Sequence, residues 1–167
     1  MAMTGDNGRG MTDEERDEFL QTGKLFAKIA TTMDDGWPVL SPVWYLWDGS
    51  SFLVVSKANT SLVQNLRRDP RCGVLVDNID LPYMRVSVRG EAEFTPDDFD
   101  WRPDARDMVL RYLGPEGMDY AESTFGFERT PFRVWPRKMS TWNGGGFDRT
   151  FRRPTVWHTV SSGEASS

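Results

Sequence analysis

The chain has a single histidine and a single cysteine, and that scarcity removes much of the nucleophilic and metal chemistry a small protein could carry. His158 lies in a polar C-terminal stretch, so there is no material for a serine–histidine–acid triad or a multi-histidine metal centre. Cys72 has no partner for an internal disulfide, and its place in the apolar run "RCGVLVD" marks it as a small core residue rather than a reactive thiol. Positive charge is also short. With 20 Lys and Arg against 25 Asp and Glu, the net charge of −5 argues against a sequence-independent grip on nucleic acid, which depends on a surplus of cations. No apolar run approaches the roughly 20 residues of a membrane-spanning helix, and the opening "MAMTGDNGRGMTDEER" lacks the apolar segment of a signal peptide. The expectation is a soluble, cytoplasmic protein without nucleic-acid or membrane partners. Phosphate-loop and dinucleotide fingerprints are absent, and "NGGGFD" lacks the strand-before, helix-after setting that would make its glycines informative; it reads as a flexible loop.

What is present is apolar and aromatic. Hydrophobic residues make up 38% of the chain and aromatics 13%, enough to fold the middle of 167 residues around one core. The expected domain spans residues 12–142, with flexible ends at 1–11 and 160–167. Charge is uneven along it: acids crowd residues 97–122, whereas Lys and Arg crowd 131–154, so a local anion site is compatible with the overall balance. The acid-rich "EFTPDDFDWRPD" reads as a solvated loop and helix cap, and no metal site is expected.

Thr12 and the acids after it predict a short helix over "TDEERDEFLQTG", stopped by Gly23. "LFAKIATT" and the turn signal "DDGWP" predict a hairpin into "WPVLSPVWYLW", read as one strand that is apolar on both parities. Such a strand is either central or covered by a ligand or a second subunit. "DGS" predicts another turn, and "SFLVVS" a third strand. Leu62, Val63 and Leu66 give one apolar stripe to a brief helix ended by Pro70, followed by the strand "CGVLVD". "MRVSVRGEAEF" alternates strictly, with Met84, Val86, Val88, Gly90, Ala92 and Phe94 on a core face. A helix over "PDARDMVLRYLG", with Pro103 near its start and Gly114 past its end, and a last strand, "FRVWPRKMSTW", complete the set. Six strands without regular strand–helix alternation predict a mainly β protein with short helices, an antiparallel barrel rather than a doubly wound sheet.

The stretch "SKANTS", where the third strand gives way to a helix, raises the main functional question. A helix N-terminus offers unpaired N–H groups and a positive dipole end, so these donors and Lys57 can hold a phosphate or another oxyanion. The competing reading is that Asn59, Thr60 or Ser61 only caps the helix. The Trp-rich strands equally suit a core, an interface or a ligand cleft.

The order of pieces, "TDEERDEFL", "FAKIATTMDDGWPVLSPVWYLWDGSSFLVVS", "VQNLRRDPRCGVLVD", "YMRVSVRGEAEF" and "PRKMSTW", resembles the flavin-binding split-barrel superfamily, which includes the pyridoxamine 5′-phosphate oxidases and flavin or deazaflavin oxidoreductases. "NLRRDPR" before an apolar strand is the most specific part. The resemblance implies a six-stranded antiparallel split barrel, paired as a homodimer with two cofactor clefts between subunits. It implies that Ser56, Lys57, Asn59, Thr60, Ser61 and Gln64 hold the phosphate of FMN or of the deazaflavin coenzyme F420. Pro42, Val43, Trp44 and Tyr45 would then run beside the ring, and Trp142 would close the pocket of the other subunit. Where many relatives carry Lys or Arg shortly before "NL", this chain has Leu62, Val63 and Gln64, leaving Lys57 to supply the charge. A matching set of basic residues for a pyridoxamine substrate's phosphate is not found. The implied function is an oxidoreductase that moves a hydride between the bound ring and a small organic substrate. The alternatives are a non-catalytic holder of flavin, haem or another planar ligand, and a cofactor-independent tailoring enzyme on the same fold.

Overall fold

In the computed structural model, which describes residues 10–144, the chain begins with helix α1 (Asp13–Gln21). Thr12 caps it: its Oγ1 accepts from the Glu15 N–H at 3.2 Å, and the Glu15 carboxylate accepts from the Thr12 N–H at 2.9 Å, the reciprocal pair of a capping box. The expectations for His158, for most of the "NGGG" loop and for most of the two termini lie outside the described residues.

Strands β1 (Ala27–Thr32), β2 (Pro38–Val43), β3 (Leu46–Trp47), β4 (Phe52–Lys57), β5 (Arg71–Asp77), β6 (Met84–Phe94) and β7 (Arg129–Asn143) form one sheet. Its order is β2-β1-β5-β6-β7-β4-β3, every pair antiparallel. Seven strands replace the expected six because the run from Trp37 to Trp47 is not one strand. It breaks at Trp44 and Tyr45, and the pieces on either side become opposite edges of the sheet.

That break dictates the curvature. Seven flat strands would set the edges about 29 Å apart at the usual strand spacing, whereas the three peptide steps from Val43 to Leu46 reach about 11 Å at most. The sheet therefore curls until its edges meet at Trp44–Tyr45, giving a half-barrel. Tyr45 points into its interior, fully buried, and its hydroxyl donates to the Leu20 carbonyl at 3.0 Å. The two-sided apolar character of the run thus reflects a crossing between edges, and β2 is an edge strand rather than a central one.

Inside the curl, Ile29, Tyr45, Phe52, Val54, Val74, Val76, Val86, Val88, Phe132 and Val134 form the main core. The alternation read in β6 is borne out: Val86, Val88, Gly90 and Ala92 are buried while Arg85, Arg89 and Glu93 are exposed. At Gly90 the register against β7 shifts, and a Cβ there would stand 2.7 Å from the Trp135 carbonyl oxygen. The requirement is for glycine, because this close approach leaves no room for a side chain.

Helix α2 (Ser61–Arg68) buries Leu62, Val63 and Leu66 as its stripe predicts, and also Asn65. The Asn65 amide donates to the Thr31 hydroxyl at 3.0 Å, and Arg68 reaches both the Asn65 Oδ1 and the Thr32 carbonyl. These bonds explain the "NLRR" pattern physically: its asparagine and second arginine bolt the helix to β1. Two further helices, α3 (Arg102–Tyr112) and α4 (Met118–Thr124), form a cap. In a second cluster Met108 and Tyr112 of α3 pack with Leu53, Leu46, Val55, Trp44 and Phe99, so β4 is apolar on both faces. The Arg111 guanidinium fixes the end of α3 by donating to the carbonyls of Leu20, Thr22, Gly23 and Tyr45. No helix among the described residues is long and apolar enough to cross a membrane.

Candidate functional site

Where β2 gives way to the Trp44–Tyr45 crossing, β4 and the α3–α4 cap enclose a cavity of about 720 Å³. Its two ends differ in chemistry. The polar end is built by the last residues of β4, the start of α2 and the first residue of β7: Ser56, Lys57, Thr60 and Arg129. The rest is mainly apolar and aromatic, with Pro42, Val43 and Trp44 on one side and Trp101, Met108, Tyr120, Phe125 and Phe127 from the cap and the loops flanking it on the other, joined by Ser123 and Thr124 of α4.

At the polar end, Thr60 serves as the N-cap of α2, accepting from the Val63 N–H at 3.3 Å, and its hydroxyl lies 3.1 Å from that of Ser56. The capping reading of "SKANTS" is therefore correct for Thr60, and it coexists with the cavity instead of excluding it. Lys57 is exposed, with its ammonium 5.4 Å from the centre of the Phe127 ring. Arg129 stands directly opposite Lys57 in the β4–β7 ladder.

The apolar walls are held by stacking and by buried hydroxyls. Trp44 stacks on Tyr112 with ring centres 4.9 Å apart and planes 2° from parallel, and Phe26 stacks on Tyr112 at 5.7 Å. The Tyr112 hydroxyl donates to the Leu25 carbonyl at 2.8 Å and accepts from the Tyr45 N–H at 3.4 Å. Burial raises the Tyr112 hydroxyl above its ordinary range and pushes that of Tyr45 up to about 12, in each case against the nearby Arg111 charge. Both stay protonated at neutral pH. Among the described residues the lining contains no carboxylate, histidine or cysteine, and no group of three or more metal-ligating side chains occurs. The cavity can bind an anion at one end and a flat apolar body along the rest, but it lacks the usual side chains for general acid–base work at pH 7.

Of the residues singled out from sequence, Pro42, Val43, Trp44, Ser56, Lys57 and Thr60 come together in this cavity. Asn59, Ser61 and Gln64 are exposed around the start of α2 and do not line it. The Tyr45 side chain is in the barrel core, so a part for it beside a ring is limited to its backbone. Trp142 lies far along β7, opposite Arg85, whose guanidinium is 5.6 Å from its ring centre; it takes no part in the cavity of its own chain. Arg129 and the aromatics around the cap escaped the sequence reading. The position of Arg129 depends on a long-range register, and α4 carries only Ala121 as a buried residue, too little for a periodic signal.

Comparison with known proteins agrees with this architecture. The family model for pyridoxamine 5′-phosphate oxidase matches residues 12–143. A conserved hypothetical protein from Mycobacterium tuberculosis is 26% identical, with a TM-score of 0.69 over 92% of this chain and 95% of its own. A structure described as an F420 reductase is 27% identical, with a TM-score of 0.59 over 74% of this chain and 94% of its own. The haem storage protein HutZ from Vibrio cholerae shares the fold at 19% identity, with a TM-score of 0.62 over 79% and 95% of the two chains.

Proposed function

The chain belongs to the pyridoxamine 5′-phosphate oxidase family, and from that premise we propose that it is an oxidoreductase using FMN or coenzyme F420, with two copies of the chain pairing around the cofactor clefts. The observation that carries this reading is the division of the cavity: both cations gathered at one end with the Ser56 and Thr60 hydroxyls, a mainly aromatic-walled slot along the rest, and no carboxylate or histidine in the lining among the described residues. A phosphate joined to a flat ring system matches that division. The similarity to an F420 reductase over most of the chain supports the deazaflavin branch, and the family model supports FMN.

When bound, the flavin or deazaflavin ring supplies the hydride chemistry. The protein's own residues do the rest. Lys57, Ser56 and Thr60 hold the phosphate and so fix the depth of the ligand. Trp44, braced by its stack on Tyr112, would form a rigid wall for the ring, and backbone groups of Val43 to Tyr45 would hold it. Phe125, Phe127 and Tyr120 exclude water from the face turned toward the cap. No side chain is assigned as a general base. The same lack among the described residues favours a second reading, a holder of a planar ligand without turnover, and the fold is shared with a haem storage protein.

Fluorescence titration of the purified protein with FMN and with coenzyme F420 tests the proposal. Tight binding of one selects the branch, and reduction or oxidation of the bound ring by a substrate panel separates enzyme from holder. Lys57→Ala is expected to weaken that binding by about 1 to 3 kcal/mol, the range for a charged hydrogen bond, with no change in melting temperature because Lys57 is exposed. Binding of neither cofactor overturns the flavin reading.

A further inference from the structure

We infer that Arg129 is the second cation of the anion site, and that the site takes a ligand end carrying two negative charges rather than one. This deepens the flavin reading above and rests on it for the identity of the ligand. Lys57 and Arg129 are direct cross-strand partners on an antiparallel ladder and both line the cavity. Like charges set opposite each other repel, yet neither is in a salt bridge with an acid among the described residues, and the lining offers none.

The arginine is held with one donor out of reach of any acceptor among the described residues. Its Nε is buried and has no hydrogen-bond partner, although buried N–H donors are nearly always satisfied. The aromatic face of Phe127 keeps Lys57 beside it despite the repulsion. With the two cations in the lining stand the hydroxyls of Ser56 and Thr60, 3.1 Å apart.

Two cations and two hydroxyls match a dianion. A phosphomonoester supplies close to two charges at neutral pH, and a phosphodiester flanked by a carboxylate supplies the same total. The arrangement also accounts for Leu62, Val63 and Gln64 where a helix cation is expected: the second charge is carried by β7 instead of α2.

The test compares ligands that share a ring but differ in the anion. FMN and riboflavin are titrated by fluorescence into the wild type, Arg129→Gln and Arg129→Lys, with coenzyme F420 and its phosphate-free deazaflavin core as the parallel pair. The Gln variant is expected to bind the phosphorylated ligand about ten- to a hundredfold more weakly, the span of one charged hydrogen bond. The phosphate-free ligand should be held within about twofold of wild type, a change below the weight of any such bond. The Lys variant, which keeps the charge without the Nε, should fall between, and it carries the test if the Gln variant does not fold. Equal losses for both ligands, or no loss for either, overturn the role of Arg129. If the wild type binds no flavin or deazaflavin at all, the flavin reading fails separately. The anion site is then judged by titrating inorganic phosphate against the Arg129 Nε–H resonance in NMR spectra, where a saturable shift sustains it and an unmoved signal refutes it.

Discussion

At the scale of single residues, the "WDGS" turn shows how a local motif can conceal a distant partner. The Asp48 carboxylate accepts from the N–H and hydroxyl of Ser50 and from the N–H and hydroxyl of Ser51, at 2.7 to 3.0 Å, as an Asp at the start of a turn is expected to do. It also pairs with Arg133 of β7 at 2.6 Å, which no short-range pattern reveals. Partial burial raises the pKa, but the hydrogen bonds from Ser51 and Ser50 outweigh it and bring Asp48 down to about 2. Because the folded-state value lies below the ordinary carboxylate pKa of about 3.9, the stabilisation is complete above that pH and fades as the pH falls toward 2. Asp48→Ala should therefore lower stability at pH 7 by about 1 kcal/mol, discounted for the exposure of the group. Urea denaturation of variant and wild type should show the gap narrowing between pH 4 and pH 2; a gap that stays constant with pH would assign the effect to packing. Cys72 was legible from its apolar neighbours alone, and burial pushes its thiol up to about 12, which leaves it unreactive at neutral pH.

At the scale of elements, legibility follows the amount of buried surface each one owns. α1 announced itself by Thr12 and the acids after it, α2 by three apolar residues on one side, and β6 by strict alternation. α4 did not, because "MDYAEST" has little to bury and is placed by contact with α3 rather than by its own pattern. The contact depends on Gly117, where a Cβ would stand 2.5 Å from the Leu113 Cβ and 3.2 Å from a Val109 methyl. Gly117→Ala must push α4 away from α3, at a cost of about 1 to 3 kcal/mol for overpacking. Since Tyr120, Ala121, Ser123 and Thr124 of α4 line the cavity, the same variant is expected to weaken cofactor binding. Thermal unfolding and a fluorescence titration on one preparation read the two effects together; a lower melting temperature with unchanged affinity would remove α4 from the binding site. The candidate site was legible where its residues are sequence neighbours, as in "SPVW" and "SK", and illegible where β7 and the cap bring residues in from a distance.

At the scale of the whole molecule, the inside of the half-barrel is filled by one chain, but its outer face is not. Across β2, β1 and β5 the outward rows run Leu40–Ala30–Gly73 and Pro42–Lys28–Leu75, and they continue through Arg89 and Ser87 of β6 to Lys138 and Ser140 of β7. Leu40 is 67% exposed and Trp37, at the same edge, 71%. The face mixes small and apolar side chains with charges such as the Lys28–Asp77 pair, Arg71 and Arg89, and the apolar residues at its β2 edge are the ones most open to a partner. Trp142 lies on this same face, on the row of Asp77 and Arg85, and outside its own cavity. The homodimer proposed for this chain is expected to use that face. Light scattering at micromolar concentration should give about twice the 19.1 kDa of one chain, and Leu40→Asp, which disturbs no buried contact within a chain, should give folded monomer. Cofactor titration of that monomer then divides the two forms of the site. A large loss of affinity, reproduced by Trp142→Ala in the dimer, means that each cleft is completed by the opposite subunit. Full affinity in the monomer means that the cavity under the α3–α4 cap is sufficient alone, and a wild type that is itself monomeric removes the shared cleft altogether.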